Sequence, residues 1–277
     1  MRGALLQMSS SDDPVENLAT LTWMISDAKA KGAGFVLTPE VTNCVSLNRQ
    51  HQNDVLHLQQ DDPTLAACQD LARAHKIWLL LGSLGVKTTD ADGRFANRSL
   101  LIDPDGIVRA SYDKIHMFDV DINETESFRE SDGYRPGSKA VVADAGFAKL
   151  GLSICYDVRF AHLYRALATA GAQILTVPAA FSPVTGKAHW HSLLRARAIE
   201  TGCFVLAPAQ TGTHRAKQGA TRSTYGHSLV VSPWGEIILD AGTEPGVYMF
   251  DLDLNSVNDA RRKVPALHHA RNFDGPE

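Results

Sequence analysis

Three residues of this sequence could together carry out acyl transfer, because each follows a strand-like run. Cys155 comes directly after the apolar stretch 151–154, and helical sequence begins a few residues later, so its thiol is expected at the tip of a strand. Glu40 and Lys114 lie just past two other strand-like runs. A thiol acts as a nucleophile when a base and a cation can reach it. Strand ends that face one cleft would bring these three groups together.

Each of the three residues also has an ordinary explanation when it is taken alone. A cysteine is commonly a small buried apolar residue, and we keep that interpretation for Cys44, Cys68 and Cys203. A lone glutamate or lysine is most often solvated. Three complementary groups at three strand ends nevertheless indicate an acyl-transfer site. A Cys–His dyad remains an alternative, with His116, His162, His189 or His227 as the base.

Composition and the other motifs argue against several further classes. The net charge is −4 and no basic run is present, so no nucleic-acid partner is expected. His189 and His191 would point to different sides of a helix, and no HExxH or cysteine cluster occurs, so no metal site is expected. No glycine-rich phosphate motif follows a strand, so no cofactor is expected. Without a signal or membrane-spanning segment, the sequence predicts a soluble, cytoplasmic protein with free thiols and no membrane partner.

Short strand-like runs alternate with longer helical ones along the chain. A strand over 4–8 is followed by a helix that Asp13 caps and Pro14 begins. The strand 35–37, a helix that starts at Asp62 and ends at His75, and the strand 77–81 complete a β-α-β-α-β order. Later helices are expected over 160–171, 189–202 and 255–263, and strands over 174–177, 204–206 and 247–252. The polar stretch 119–140 is expected to be a loop over the cleft.

Two pairs of similar segments predict an internal repeat. Strand, Pro/Gly turn and strand occur both over 99–108 and over 228–238, and Phe35–Pro39 is similar to Gln173–Pro178. No linker rich in Pro, Gly or Ser separates the halves. The prediction is therefore a single α/β domain, a four-layer α-β-β-α sandwich with an internal pseudo-repeat. Its domain is expected over 1–255, and 256–277 is expected to be a C-terminal tail.

The three strand-end motifs are where the chain resembles the nitrilase superfamily of carbon-nitrogen hydrolases. They are the segments 37–40, 114–120 and 154–160, in the same order as the family's Glu, Lys and Cys, and the resemblance covers nearly the whole chain. It implies the nitrilase-type sandwich and homodimers or larger homo-oligomers. It also implies that the tail packs on the fold or across a subunit interface.

The resemblance implies roles for specific residues of this sequence. Cys155 would be the nucleophile, Glu40 the base, and Lys114 the oxyanion stabiliser together with the backbone N–H of Tyr156. Glu130 would be a supporting carboxylate. The residues expected to bind substrate are Phe181, Thr185, Arg159 and His189.

Within the superfamily, the segments 185–190, 194–201 and 222–228 resemble the branch of deaminated glutathione amidases and omega-amidases. They imply hydrolysis of a small carboxylate-bearing amide to an acid and ammonia through a cysteine thioester, with deaminated glutathione as the first choice and 2-oxoglutaramate as the second. The loop between His214 and Tyr225 is longer than that branch predicts, by Gln218 to Thr221. The alternatives are an N-carbamoyl amide hydrolase, a nitrilase, an inactive interaction protein on the same fold, and a redox thiol protein.

Overall fold

Two six-stranded sheets form the centre of the computed structural model, which describes residues 1–123, 126–217 and 219–275. From edge to edge, the first sheet contains β16 (Gly246–Asp251), β1 (Arg2–Gln7), β2 (Phe35–Leu37), β3 (Trp78–Val86), β4 (Ala96–Ile102) and β5 (Val108–Asp113). The second contains β15 (Ile237–Asp240), β14 (Leu229–Val231), β11 (Phe204–Ala207), β10 (Ile174–Thr176), β9 (Lys149–Leu152) and β8 (Val141–Asp144).

The two sheets repeat one pattern of strand directions, which confirms the predicted pseudo-repeat. Read from β16, successive pairs of the first sheet are antiparallel, parallel, parallel, antiparallel and antiparallel. Read from β8, the second sheet shows the same series. Strands β2 and β10, whose sequences resemble each other, therefore occupy equivalent central positions.

Helices cover the outer faces of both sheets. Helices α1 (Pro14–Ala30) and α3 (Pro63–His75) cover the first sheet, and α4 (Ala161–Thr169) and α5 (Pro183–Thr201) cover the second. The chain also forms α2 (Arg49–Val55) and α6 (Asn255–Lys263). Asp13 and Asp62 cap α1 and α3 through their carboxylates, and a proline begins each helix, as the sequence predicts. Among the described residues, no helix combines the length and the apolar character needed to cross a membrane.

The alternation of side chains along the strands separates two cores. Leu6 and Val36 belong to the core that α1 and α3 cover, whereas Leu5 and Leu37 pack with side chains of the second sheet, such as Leu152. The second sheet in turn carries α4 and α5 on its outer side. Burying one such leucine contributes about 1.5–3 kcal/mol. The layers are therefore helix, sheet, sheet and helix, and the predicted four-layer α-β-β-α sandwich is confirmed.

Two segments that were expected to be loops contain hairpins. Within 119–140, β6 (Asp119–Asn123) pairs with β7 (Glu126–Arg129), and a 3₁₀ turn follows over Glu130–Asp132. Strand β12 (Thr211–His214) pairs with β13 (Arg222–Tyr225), and Gln218 of the connecting loop lies outside the described residues. All four strands have only four or five residues, and β7, β12 and β13 lack the apolar alternation from which a strand is recognised.

Other differences concern the ends of elements. Helix α5 begins at Pro183, six residues before the expected start, because a proline at the first helical position favours initiation. The domain boundary at residue 255 stays a prediction. Helix α6, in the expected tail, buries Val257, and Arg261 donates hydrogen bonds to the carbonyls of Ala172 and Thr201. Residues 276–277 of that tail lie outside the described residues.

Gly82 allows the two sheets to approach each other beside Glu40. A Cβ atom at this position would lie 1.9 Å from the carbonyl oxygen of Thr38, 2.6 Å from that of Pro39 and 2.5 Å from the Cβ of Pro178. We expect Gly82→Ala to lower the free energy of unfolding by about 1–3 kcal/mol, since overpacking displaces backbone. Denaturant titration measures this change.

Gly34→Ala is the matched control, because the nearest atom to its Cβ would be the Arg2 carbonyl oxygen at an ordinary 3.8 Å. Equal stability of the two variants would contradict the close approach at Gly82.

Candidate active site

The three predicted reactive residues converge where strands of both sheets end. Glu40 follows β2, Lys114 directly follows β5, and Cys155 begins a 3₁₀ turn after β9. Their exposed fractions are only 4%, 2% and 6%. The first sheet therefore supplies the carboxylate and the ammonium, and the second sheet supplies the thiol.

Lys114 lies between two carboxylates. Its Nζ is 2.9 Å from Glu40 Oε1, 2.9 Å from Glu130 Oε1 and 2.8 Å from Glu130 Oε2. Glu130 also accepts a hydrogen bond from the backbone N–H of Phe118 at 2.7 Å. Buried ions of opposite sign stabilise each other when hydrogen bonds fix their geometry, so the position of this ammonium is tightly defined.

Glu40 is held by donors from both sheets. Asn97 Nδ2 donates to its Oε1 at 2.8 Å, and the backbone N–H of Ala180 donates to its Oε2 at 2.8 Å. The thiol of Cys155 lies beside this carboxylate in the same cavity wall. The next residue, Val41, has a φ of +46°, which is unfavourable for a β-branched side chain, and its N–H donates to Ser83 Oγ. Backbone strain is thus stored beside the carboxylate.

Cys155 has a similarly strained backbone, with φ at +49°. Its own N–H donates to the carbonyl of Pro178 at 2.9 Å. The buried carboxylate of Asp157 accepts from the N–H of Ile154 at 2.9 Å, the hydroxyl of Tyr112 at 2.6 Å and the N–H of His116 at 3.0 Å. These bonds hold the turn that aims the thiol at Glu40.

The pKa values of the buried groups follow from burial and from their neighbours. Burial by itself would raise the pKa of Glu40, but the adjacent Lys114 ammonium holds that pKa below its usual range. Burial opposes the charge of Lys114, yet the carboxylates of Glu130 and Glu40 raise its pKa well above the usual value. Burial and the charge of Glu40 raise the pKa of the Cys155 thiol well above its usual range. The resting site therefore holds a neutral thiol, two carboxylates and one ammonium.

A cavity of about 270 Å³ opens onto these groups. Glu40, Lys114, Glu130 and Cys155 all contribute to its wall. Other residues of the wall are Tyr156, Phe181 and Thr185, which the sequence predicted, and Arg49, Asn97, Phe128, Tyr134 and Arg222. The Oδ1 atom of Asn97 is buried without a hydrogen-bond partner among the described residues. A bound molecule with a donor group could satisfy it.

Two residues expected to bind substrate do not line this cavity. The Arg159 guanidinium lies over the rings of Tyr156 and Phe181, and it faces His189 Nδ1 at 3.3 Å. His189 is exposed on α5. The ring of Phe181 therefore screens Arg159, and helix periodicity turns His189 outward.

The Cys–His alternative finds no support in the described part of the chain, since no histidine lines the cavity. His116, the candidate nearest in sequence to Lys114, directs its Nδ1 to Asp157 at 2.6 Å. Cys44 does line the cavity, but burial raises the pKa of its thiol to about 12, and its Sγ contacts the carbonyl of Asp12. Cys155 is thus the cavity thiol that lies next to both a carboxylate and an ammonium.

Sequence reasoning missed two cationic parts of the wall. Arg222 and Arg49 both line the cavity, and the sequence does not show which arginines face it. Arg49 packs over the rings of Phe95 and Tyr134 against Gly133, where a Cβ atom would collide with it. Only the spatial neighbourhood of Gly133 and Tyr134 identifies it, because nothing local in the sequence does.

Comparison with known proteins agrees with this arrangement. Residues 2–262 match the family model described as carbon-nitrogen hydrolase. The chain is 39% identical over 271 residues to a deaminated glutathione amidase of Yersinia enterocolitica, covering 97% of this chain and 92% of that protein.

Solved structures are similar in fold. The crystal structure of the Caenorhabditis elegans NitFhit protein superposes with a TM-score of 0.90 at 39% identity, over 98% of this chain and 65% of that one, so this chain spans about two thirds of that relative. Saccharomyces cerevisiae Nit3, described as a member of branch 10 of the nitrilase superfamily, superposes with a TM-score of 0.83 at 28% identity, over 96% and 94% of the two chains.

Asp157→Asn tests whether the Asp157 carboxylate positions Cys155 by holding the 3₁₀ turn that begins at this cysteine. One amide oxygen cannot accept all the hydrogen bonds from Tyr112, His116 and Ile154, and each buried donor left unpaired costs about 1–3 kcal/mol. We expect a matching loss of unfolding free energy, and a fall in the rate at which iodoacetamide labels Cys155.

Asp70→Asn is the control, because Asp70 is exposed and pairs only with Arg73 among the described residues. An unchanged unfolding free energy in Asp157→Asn would show that the turn does not depend on this carboxylate.

Proposed function

Because the chain belongs to the carbon-nitrogen hydrolase family, we propose that it hydrolyses a small, carboxylate-bearing amide through a thioester on Cys155. Membership of this family makes the protein an amide-hydrolysing enzyme. The observation that carries the assignment of roles is the buried contact of Cys155, Glu40 and Lys114 at one cavity wall.

The proposed reaction starts from a neutral thiol next to an ionised carboxylate. Glu40 accepts the Cys155 proton as the sulfur attacks the amide carbon, so the net charge of the cluster does not change during the transfer. If Cys155 lost its proton to solvent before the attack, the thiolate would lie next to two carboxylates and only one ammonium. That imbalance is consistent with the raised pKa of Cys155, which burial and the charge of Glu40 cause.

The tetrahedral intermediate carries its negative charge on the former carbonyl oxygen. Lys114 Nζ and the backbone N–H of Tyr156 are the proposed donors to that oxygen. Glu130 keeps Lys114 charged and in place when the Glu40 carboxylate becomes neutral, since both of its oxygens lie within 2.9 Å of Nζ. This gives the second glutamate a role that Glu40 cannot fill while it holds the proton.

The intermediate then breaks its C–N bond. Glu40 returns the proton to the departing nitrogen, which leaves as an amine or as ammonia, and the acyl group stays on sulfur as a thioester. Glu40 next removes a proton from water, whose oxygen attacks the thioester carbon. Collapse of that second intermediate releases the carboxylic acid and restores the thiol and the ionised Glu40.

Deaminated glutathione is the proposed substrate, as the relatives that carry this name support. The alternative, 2-oxoglutaramate, is a primary amide and would release ammonia. Deaminated glutathione has no primary amide, so its hydrolysis would release a peptide amine and not the ammonia expected from the sequence. The leaving group therefore distinguishes the two substrates.

Arg222 and Arg49 are the proposed contacts for substrate carboxylates. Both line the cavity, and neither forms an ion pair with a carboxylate in the described part of the protein. Arg222 donates to the carbonyl of Ala180 and packs over Phe128. Arginine in such a site binds carboxylates with two parallel hydrogen bonds. By contrast, Arg215 pairs with Glu16 at the surface.

We also propose a homodimer or larger homo-oligomer and a cytoplasmic location. Exposed apolar side chains gather on α5 and around the turn before β15, which is consistent with a subunit interface: Val184, Ile199, Trp234, Ile237 and Ile238. All four cysteines are free thiols, as a reducing compartment favours. Sedimentation equilibrium of the purified protein and cell fractionation measure the two properties.

Turnover of deaminated glutathione beside 2-oxoglutaramate, followed by mass spectrometry of the products, tests the proposed substrate. A panel of ureido acids and nitriles covers the other branches. We expect the highest kcat/KM for deaminated glutathione. Faster turnover of another compound would reassign the substrate, and no turnover with no thioester adduct on Cys155 would favour an inactive interaction protein.

Glu40→Gln should separate the reactivity of the thiol from turnover. Without the Glu40 charge, the pKa of Cys155 falls, so iodoacetamide should label Cys155 faster at pH 7.5. Hydrolysis should nevertheless fall by at least about 10²-fold, because the proton acceptor and donor is lost. Cys155→Ala should abolish hydrolysis, and Lys114→Met should reduce kcat by about 10²–10³-fold.

Glu236→Gln, which changes an exposed carboxylate in the turn before β15, is the control for these variants. Hydrolysis by Glu40→Gln within tenfold of the wild type would contradict the role of Glu40 as proton acceptor, and a loss below tenfold in Lys114→Met would make the lysine a bystander.

Arg222→Met tests recognition of the substrate carboxylate. Hydrogen bonds to charged groups contribute about 1.5–3 kcal/mol, so kcat/KM for carboxylate-bearing amides should fall by roughly 10–150-fold. A neutral amide of similar size should lose much less. Arg195→Met is the matched control, because Arg195 is exposed on α5 and donates to the carbonyl of Gly235 outside the cavity. Equal losses for charged and neutral amides would refute carboxylate recognition by Arg222.

A further inference from the structure

A second cluster of chemically active side chains lies outside the cavity. It consists of His191 on α5, His227 just before β14, and Asp240 at the end of β15. His191 Nε2 is 2.9 Å from Asp240 Oδ2, and His227 Nδ1 is 2.9 Å from Asp240 Oδ1. One potential ligand atom from each residue lies within 4.8 Å of the other two. From this geometry we propose that His191, His227 and Asp240 form a binding site for a divalent transition metal such as Zn²⁺ or Co²⁺.

The ligand types suit such a cation. Two imidazoles and one carboxylate are a common donor set for Zn²⁺, and sites with three protein ligands keep further positions open to water. In the described part of the chain, Asp240 forms no ion pair with lysine or arginine, so no competing cation neutralises it. The three side chains are 23–33% exposed, which leaves a path for an ion to enter.

The distances require only a small rearrangement. A tetrahedral zinc ion about 2.1 Å from its ligands separates the ligand atoms by about 3.4 Å. With one oxygen of Asp240 as the ligand, its hydrogen-bonded separation of 2.9 Å from one imidazole would open by about 0.5 Å. The separations among the other ligand atoms, which reach at most 4.8 Å, would close by no more than about 1.4 Å. Each neutral imidazole would move its proton to the other ring nitrogen, and a charged imidazole would release one proton on binding.

The surroundings of the cluster hold its members in place. His227 has a φ of +54°, its N–H donates to the carbonyl of Gly242, and its carbonyl accepts from Trp190 Nε1. Asp240 Oδ1 also accepts from the N–H of Gly242 at 2.9 Å. A strained backbone that is fixed by hydrogen bonds on both sides is typical of functional positions.

An aromatic ring further restricts the imidazoles. Tyr225 stacks on His227 with ring centroids 4.4 Å apart, and its other side packs against α5 at Gly186, where a Cβ atom would lie 2.4 Å from the ring. Partners that orient metal ligands are typically worth about 10–100-fold in metal affinity. Loss of a ligand itself should cost at least as much.

Isothermal titration of the full-length, tag-free protein with Zn²⁺ at pH 7.5, and visible absorption on titration with Co²⁺, test the site. We expect one equivalent per chain, and a rise in the thermal midpoint because the metal binds the folded state. His191→Ala and Asp240→Asn should each weaken binding at least about tenfold.

Two controls separate this site from other histidines. His189→Ala changes an exposed histidine on the same helix, and His268→Ala with His269→Ala removes the adjacent pair near the C-terminus; both should bind metal like the wild type. Absence of saturable binding by the wild type, or unchanged binding in the folded double variant His191→Ala with Asp240→Asn, would overturn the proposal. Because the readout is binding, neither result bears on the hydrolysis proposed for Cys155.

Discussion

The proposed active site depends on the buried ion pairs that the Lys114 ammonium forms with Glu40 and Glu130. Removing three charged groups from water costs several kcal/mol for each ion, and that cost is offset only where geometry and further hydrogen bonds are good. Asn97, Ala180 and the N–H of Phe118 supply those bonds. The cluster therefore needs a rigid, closely packed surround, and the two sheets provide it.

The two halves of the internal repeat contribute different groups to these surroundings. The central strands β2 and β10 are each followed, two residues after their end, by a proline. These equivalent prolines, Pro39 and Pro178, both lie beside Gly82. Beyond these prolines the halves differ: the first continues into Glu40, whereas the second contributes backbone groups, namely the carbonyl of Pro178 to Cys155 and the N–H of Ala180 to Glu40. One half thus carries the acid, and the other half carries the bonds that hold it.

Helix α5 and strand β13 connect the cavity with the proposed metal site. Thr185 of α5 lines the cavity, and His191 lies less than two turns further along the same helix. Arg222 begins β13 at the cavity, and Tyr225 ends it against His227. A metal ion that stiffens the second site would act on elements that also form the cavity wall.

The sequence alone determined the layers of the fold and the three reactive residues. Strand and helix periodicity are local, and strand ends such as those before Glu40, Lys114 and Cys155 are visible in the chain, because short-range sterics and burial set both patterns. The role of Glu130 came from the family resemblance rather than from periodicity.

Tertiary structure alone decided the rest. The hairpins β6–β7 and β12–β13 have strands of only four or five residues, which is too short for a periodicity to be recognised locally. Arg222 lines the cavity and Arg159 does not, and nothing local in the sequence decides which of them does. His191, His227 and Asp240 are 13 to 49 residues apart and meet only because α5 packs across the second sheet. Which side chains meet across such distances is decided by packing, since no local pattern in a sequence encodes it.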